Sequence, residues 1–135
     1  MFQINFEVVT RLRFDREWLP NAPMIAWLRA MKTNGYEIIA ISNADTSLEE
    51  RLERFQMSDV FERIVNSARV HTAKPDPAIY QIVLGLTASR PHECLLIDDK
   101  ARNMPPAEAL GIHTLIYTAM PEFLDTVKRM LHQAP

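Results

Sequence analysis

Short apolar runs alternate along this chain with segments of helical periodicity, and this alternation restricts the possible folds more than any other feature. Runs of strand length occupy residues 37–41, 63–65, 94–97 and 113–117. Between them, apolar residues recur every three or four positions, as in Ile25, Leu28 and Met31, which is the spacing of one helix face. This order of strands and helices predicts an α/β fold with a mostly parallel sheet.

Turn and cap residues predict where the helices begin and end. Asn34-Gly35 is typical of a left-handed helix C-cap, and Gly111 is expected to close the helix before the last strand. The segment Thr46-Ser47-Leu48-Glu49 has the form of a capping box, which predicts that a helix begins there. Pro75 is expected to open the following helix, since proline is tolerated in a first turn.

Composition indicates one compact domain spanning residues 1–135. A chain of 135 residues with 47% hydrophobic content can bury a single core. The formal net charge is −2 and the charges are interspersed, so no basic surface for nucleic acid is expected. The longest charge-free runs, 77–89 and 109–121, are too short to span a membrane. The single Cys94, expected in the core, and the lack of a signal-peptide pattern favour a cytoplasmic protein.

Polar residues stand at or beside the ends of the predicted strands. Ser42-Asn43 follows the run YEIIAI, and Asp98-Asp99 follows CLLI. Lys74 precedes Pro75, which favours an extended conformation and keeps the lysine outside the helix. Each of these residues taken singly is explained as a turn, cap or surface residue. Together they indicate a site, because ligands of open parallel sheets bind beyond the carboxyl ends of the strands.

These residue types suit phosphoryl chemistry in a magnesium site. Magnesium prefers carboxylate and water oxygens and neutralises charge on a phosphate. Lys74 would supply a fixed positive charge, while the Ser42 hydroxyl and neighbouring backbone N–H groups would orient the phosphate oxygens. No glycine-rich phosphate loop is present in the sequence. A small phosphorylated molecule is therefore the expected ligand, with Mg²⁺ as cofactor.

Three segments carry these residues: SNAD at 42–45, AKPDPAIY at 73–80 and LLIDDKARNMPPAEALGI at 95–112. In order and spacing they resemble the second, third and fourth motifs of the haloacid dehalogenase (HAD) superfamily. The resemblance, which runs from about residue 20 to 117, implies a three-layer Rossmann-like core and magnesium-dependent hydrolysis of phosphate esters through an aspartyl-phosphate. It also implies that Ser42, Asn43 and Lys74 hold phosphate. Asp98 and Asp99 would lie at the magnesium, with Asp99 in direct contact.

The first motif of that family departs from the pattern. The family has Asp-x-Asp after an apolar strand, and this sequence contains no Asp-x-Asp. INFEVVTRL at 4–12 places Glu7 at the nucleophile position and Val9 at the acid/base position. Glutamate is one methylene longer than aspartate, and valine cannot transfer a proton. We therefore expect weak turnover or none, and we expect Glu7 to lie within reach of Ser42, Asp98 and Asp99.

The N-terminal residues allow other interpretations. RFDREWL at 13–19 offers Asp15 and Glu17 but leaves no room for a loop before the next helix. Alternatively, residues 4–12 are purely structural. The chain can also be a fragment of a longer phosphatase whose nucleophile strand lies upstream; the core would then lack a central strand.

Three functional hypotheses follow from these residues. The first is a capless HAD-like phosphohydrolase with a weakened active site. The second is a catalytically inactive module that keeps the HAD fold for binding or regulation. The third is a receiver domain of two-component signalling, which the order Ser42, Lys74, Asp98-Asp99 disfavours, because receivers carry their acidic pair early and their lysine last.

Overall fold

The computed structural model describes residues 2–4, 10–12 and 18–133, with side chains described from Pro20 to His132. The strands are β1 (Phe2–Ile4), β2 (Thr10–Leu12), β3 (Trp18–Pro20), β4 (Ile38–Ser42), β5 (Arg63–Asn66), β6 (Leu95–Asp98) and β7 (His113–Ile116). The helices are α1 (Ala22–Thr33), α2 (Leu48–Arg54), α3 (Ser67–Val70), α4 (Pro77–Gly85), α5 (Met104–Ala109) and α6 (Met120–Gln133). Short 3₁₀ turns cover Ser58–Val60, Pro91–Glu93 and Ala101–Asn103.

Five strands form a parallel sheet in the order β5-β4-β1-β6-β7. β1 is the central strand: Ile4 pairs with Ala40 on one side and with Ile97 on the other. β2 and β3 form a separate antiparallel pair. The predicted α/β fold with a mostly parallel sheet is therefore confirmed. The fragment interpretation predicted a core without a central strand. The structure has one, because β1 pairs with β4 and with β6.

Alternate residues of the buried strands face opposite sides of the sheet, so the sheet has a hydrophobic core on each face. On one face, Ile38 and Ala40 pack with α1, α2 and α6. On the other, Ile39 and Ile41 pack with α4 and α5. The protein is thus a three-layer sandwich, as the HAD resemblance implied. Cys94 lies in the second core, where burial raises the pKa of its thiol.

The turn signals were right at helix ends and less accurate at helix starts. Gly35 and Gly111 have φ of 95° and 92° and follow the ends of α1 and α5, as predicted. The segment at 46–49 marks the start of α2 at Leu48, as predicted, although Ser47 at the N-cap makes no side-chain cap hydrogen bond and its hydroxyl instead donates to Asp45.

Helix α4 begins two residues later than predicted. Asp76, not Pro75, provides its boundary, because the Asp76 carboxylate accepts the Ala78 N–H and Pro77 occupies the first helical turn. Lys74 therefore stays in the loop before the helix, as expected. No helix in the described ranges is long and apolar enough to cross a membrane.

Candidate active site

Two of the predicted site residues are the last residues of strands on either side of β1. Ser42 ends β4 and is 1% exposed, and Asp98 ends β6 and is fully buried. Because both strands run parallel to β1, their carboxyl ends lie at the same edge of the sheet. This is the edge at which ligands bind in open α/β sheets.

Lys74 joins that edge through a buried ion pair with Asp98. Its Nζ lies 2.8 Å from Asp98 Oδ2, and the two side chains are 1% and 0% exposed. Oδ2 also accepts Asn103 Nδ2 at 3.0 Å, and Oδ1 accepts the Lys100 N–H at 2.9 Å. Burial by itself would raise the pKa of Asp98, but the Lys74 ammonium and these donors outweigh it and lower the pKa. Asp98 is therefore ionised at neutral pH.

The Asn43 side chain holds the backbone of Lys74. Its Nδ2 donates to Lys74 O at 2.9 Å, and its Oδ1 accepts the Lys74 N–H at 2.8 Å. These two bonds link the turn after β4 to the loop before α4, across 31 positions of sequence. Both the amide nitrogen and the amide oxygen of Asn43 are thus hydrogen-bonded to Lys74. Direct binding of phosphate by Asn43 stays a prediction.

The two adjacent aspartates have different environments. Asp98 is buried and its charge is paired with the Lys74 ammonium. The Asp99 side chain, in contrast, is 32% exposed and lies 3.9 Å from Lys100 Nζ. The repulsion expected between neighbouring carboxylates is relieved because Asp98 faces an ammonium and Asp99 faces solvent. The pair thus provides one fixed internal carboxylate and one carboxylate directed to the outside.

A magnesium ion at this edge would have few protein ligands. Within the part of the chain that the structure describes, no group of three or more Asp, Glu, His or Cys side chains is arranged so that it could hold a metal ion. Magnesium commonly binds through one or two carboxylates and keeps several waters. Asp98 Oδ2 already accepts two hydrogen bonds, and coordination of magnesium by Asp98 or Asp99 stays a prediction. Asn103 Oδ1, which is buried and has no partner among the described residues, can accept a hydrogen bond from a water.

Tyr80 and Asn103 extend the hydrogen-bond network of the Lys74–Asp98 pair, and neither was predicted as a site residue. The Tyr80 hydroxyl donates to Asn103 O at 2.7 Å, and Asn103 in turn donates to Asp98. Burial, and then the charge of Asp98, raise the pKa of Tyr80, so its hydroxyl remains a neutral donor. The available signal was a tyrosine on the apolar face of a helix, since a buried tyrosine hydroxyl requires a partner.

The candidate residues of the first motif follow β1 in the chain. Glu7, Val9, Asp15 and Glu17 all lie outside the described residues, so the expected proximity of Glu7 to Ser42 and the aspartates stays a prediction. The described residues do locate the preceding strand. β1 runs in the same direction as β6, with Ile4 beside Ile97, so the described part of the strand ends toward the edge that carries Asp98.

Known proteins with similar sequence or structure agree with the motif resemblance. Residues 13–117 match the family model of haloacid dehalogenase-like hydrolases. Bifunctional epoxide hydrolase 2 of Rattus norvegicus is 29% identical over 101 residues, covering 71% of this chain and 18% of the rat protein. A sesquiterpene phosphatase of Aspergillus oryzae is 30% identical over 94 residues, covering 69% of this chain and 48% of the fungal protein. The chain thus spans about a fifth and about half of these two relatives.

A solved structure is similar over most of the fold. A HAD family enzyme from Bacteroides thetaiotaomicron, in complex with magnesium and inorganic phosphate, superposes with a TM-score of 0.64 and 26% identity. The similar region covers 75% of this chain and 54% of that enzyme.

Proposed function

Since this chain belongs to the haloacid dehalogenase-like hydrolase family, we propose that it binds a small phosphate monoester at the carboxyl edge of its sheet and hydrolyses it slowly with the help of Mg²⁺. The observation that carries the proposal is the buried pair of Lys74 and Asp98. A lysine held in a loop at the ligand-binding edge, 1% exposed and fixed by a carboxylate, is an ordered cation beside the predicted phosphate site. Its position is hard to explain as a solvated surface charge.

Each residue of the edge has a role in this proposal. The Lys74 ammonium attracts phosphate oxygens, and Asp98 holds the ammonium in place. The Ser42 hydroxyl donates a hydrogen bond to the phosphate. Asp99, with its partly exposed carboxylate, would hold magnesium. When bound, magnesium neutralises charge on the phosphate and orients it.

The weak step is the attack on phosphorus. Glu7 would supply the attacking carboxylate oxygen, and a displacement of about 1 Å from the productive position can lower the rate by about a hundredfold. The ester P–O bond would break as the bond between Glu7 and phosphorus forms, and the leaving oxygen would take its proton from water because Val9 cannot donate one. Water would then hydrolyse the glutamyl phosphate, which releases inorganic phosphate and restores the Glu7 carboxylate. General acid–base catalysis is typically worth about 10² to 10⁴ in rate. The reaction is therefore expected to be slow, while phosphate binding is expected to persist.

Two of the similar proteins support this substrate class. The Bacteroides enzyme was crystallised with magnesium and inorganic phosphate, and the Aspergillus relative is named as a phosphatase. The chain spans only part of both proteins. Their similarity supports phosphate chemistry at the shared sheet edge and does not identify a substrate for this chain.

Hydrolysis of p-nitrophenyl phosphate with and without Mg²⁺ tests the proposal. Turnover by the unaltered chain should be magnesium-dependent and should be lost in Asp98→Asn. Asp125→Asn is a matched control, since Asp125 is an exposed aspartate on α6 and should leave the rate unchanged. Turnover that survives in Asp98→Asn would contradict the proposed site.

The alternative function is a binding module without catalysis, and the replacement of Asp-x-Asp by Glu7 and Val9 favours it. This alternative predicts that phosphate binds in the presence of Mg²⁺ but that p-nitrophenyl phosphate is not hydrolysed above the rate of Asp98→Asn. Robust turnover that is abolished by Asp98→Asn would exclude it.

A further inference from the structure

A third polar pair ends a strand at this edge of the sheet, and no predicted motif includes it. Asn66 is the last residue of β5 and Ser67 the first residue of α3. β5 lies beside β4, with Asn66 paired in register with Ser42. Asn66 is 1% exposed, and polar groups buried to this extent are normally hydrogen-bonded. Several partners of the Asn66 and Ser67 side chains lie in the turn that follows Ser42.

Ser67 binds both backbone groups of Ala44 with one hydroxyl. Its Oγ accepts the Ala44 N–H at 3.0 Å and donates to Ala44 O at 3.2 Å. A serine hydroxyl has one donor and two acceptor positions, so this arrangement uses the donor and one acceptor. The peptide groups on both sides of Ala44 are thereby fixed in orientation.

Asn66 and Arg69 bind the next two carbonyls of the same turn. Asn66 Nδ2 donates to Asp45 O at 2.7 Å, while its Oδ1 accepts the Ala68 N–H at 3.1 Å, which fixes the orientation of the amide. Arg69 Nη2 donates to Thr46 O at 3.2 Å. Three consecutive carbonyls, those of residues 44 to 46, are therefore held by donors from residues 66, 67 and 69.

The outer part of this network is ionic. Arg69 Nε and Nη2 lie 2.9 and 3.2 Å from the two oxygens of Glu49, and Asn66 Nδ2 lies 3.4 Å from Glu49 Oε2. Burial opposes ionisation of Glu49, but its bonds to Arg69 and Asn66 lower its pKa overall. The donors that face the turn are thus themselves held in place.

The turn is held from its other side by Asn43, whose side chain bonds the Lys74 backbone as described above. The turn after Ser42 is therefore hydrogen-bonded to two segments. Asn43 binds the Lys74 loop, and Ala44 binds Ser67 at the junction of β5 and α3. Together these connections set the separation between the Ser42 end of β4 and the lysine that is proposed to attract phosphate.

We propose that Ser67, assisted by Asn66, is a positioning residue for phosphate binding: it holds the turn after Ser42 in the geometry that lets Ser42 and Lys74 contact one phosphate group. This inference rests on the proposed function. Neither residue touches the ligand. Their contribution is preorganisation, which improves affinity because the turn need not be ordered when phosphate binds.

Binding of inorganic phosphate in the presence of Mg²⁺, measured by isothermal titration calorimetry, tests this inference. Ser67→Ala removes both bonds to Ala44 and should weaken phosphate binding about 5- to 20-fold, the order expected for the loss of one or two hydrogen bonds. Ser67→Thr keeps the hydroxyl and should bind within about twofold of the unaltered protein. Ser58→Ala, which removes an exposed serine hydroxyl from another turn, should have no effect.

The possible failures are distinguishable. Absence of phosphate binding by the unaltered protein, or equal binding by Ser42→Ala, would overturn the proposed function and this inference with it. If the unaltered protein binds, Ser42→Ala does not, and Ser67→Ala binds as well as the unaltered protein, then the positioning role alone is wrong. Should Ser67→Ala fail to fold, Ser67→Cys takes its place, since a thiol is a weak donor and acceptor of similar size; the same weakening is expected.

Discussion

Replacing Lys74 by methionine should destabilise the fold by about 3 kcal/mol, because it removes the ammonium that pairs with a buried carboxylate. The two side chains are 1% and 0% exposed, and breaking a buried ion pair by removing one partner typically costs about 3–5 kcal/mol. Asn103 Nδ2 and the Lys100 N–H still donate to Asp98 in the variant, which places the cost at the lower end of that range.

The pH dependence of this loss should have a definite sign. In the unaltered protein the pKa of Asp98 is lowered on folding, so its contribution to stability is present above the unfolded pKa of about 3.9 and is lost as pH falls through the lower folded value. In Lys74→Met the largest lowering cause is gone while burial, the largest raising cause, remains, so the folded pKa of Asp98 is expected to lie above that of the unaltered protein. Protonation of Asp98 then costs the variant less stability than it costs the unaltered protein, so the deficit of the variant should shrink as pH falls from 7 to 5.

Urea unfolding followed by circular dichroism at pH 7 and pH 5 measures both effects. A double-mutant cycle with Asp98→Asn should show a coupling of about 1–3 kcal/mol, because the second substitution removes the charge that the first leaves buried. Lys100→Met is the matched control: its side chain is 36% exposed and lies 3.9 Å from Asp99, so the change should be under about 1 kcal/mol. A loss below about 1 kcal/mol for Lys74→Met, or an additive cycle, would refute this reasoning.

Three further variants test other parts of the edge. Asp99→Asn should weaken Mg²⁺ binding, measured by calorimetry, while leaving the midpoint of thermal unfolding nearly unchanged, because the side chain is partly exposed; unchanged Mg²⁺ affinity would count against Asp99 as a ligand. Tyr80→Phe should cost about 1–3 kcal/mol in urea unfolding, since it leaves the buried carbonyl of Asn103 without its donor; a neutral result would show that this bond contributes nothing. Glu7→Asp combined with Val9→Asp should raise hydrolysis of p-nitrophenyl phosphate by about 10² or more, and no gain would show that these residues do not occupy the first-motif positions.

The parts of the fold that the sequence predicted are those determined locally. Runs such as 94–97 are apolar over the length of a strand, and Gly35 and Gly111 adopt the positive φ that ends a helix. Ser42 and Asp98 were identified because a polar residue that follows an apolar run marks the end of a parallel strand. These signals need only a few neighbouring residues.

The start of α4 was a local error, because Asp76 rather than Pro75 bounds that helix. The other omissions involve partners that are distant in sequence. Glu49 is part of the segment with the form of a capping box, and nothing local predicted that its carboxylate would bind Arg69, 20 positions away. Asn103 and Ser67 bind groups that only the folded chain brings near them, and neither carries a local pattern that separates it from an ordinary turn residue. Adjacent aspartates look equivalent in a sequence. The structure distinguishes them, because the buried one, Asp98, pairs with Lys74, which lies 24 positions earlier in the chain.

A crystal structure of the protein grown with MgCl₂ and inorganic phosphate tests the proposed site most directly. Phosphate should lie within hydrogen-bond distance of the Ser42 hydroxyl and the Lys74 ammonium, with magnesium bound by Asp99. Phosphate and magnesium bound elsewhere, or an edge that binds neither at saturating concentrations, would contradict the site at the ends of β4 and β6.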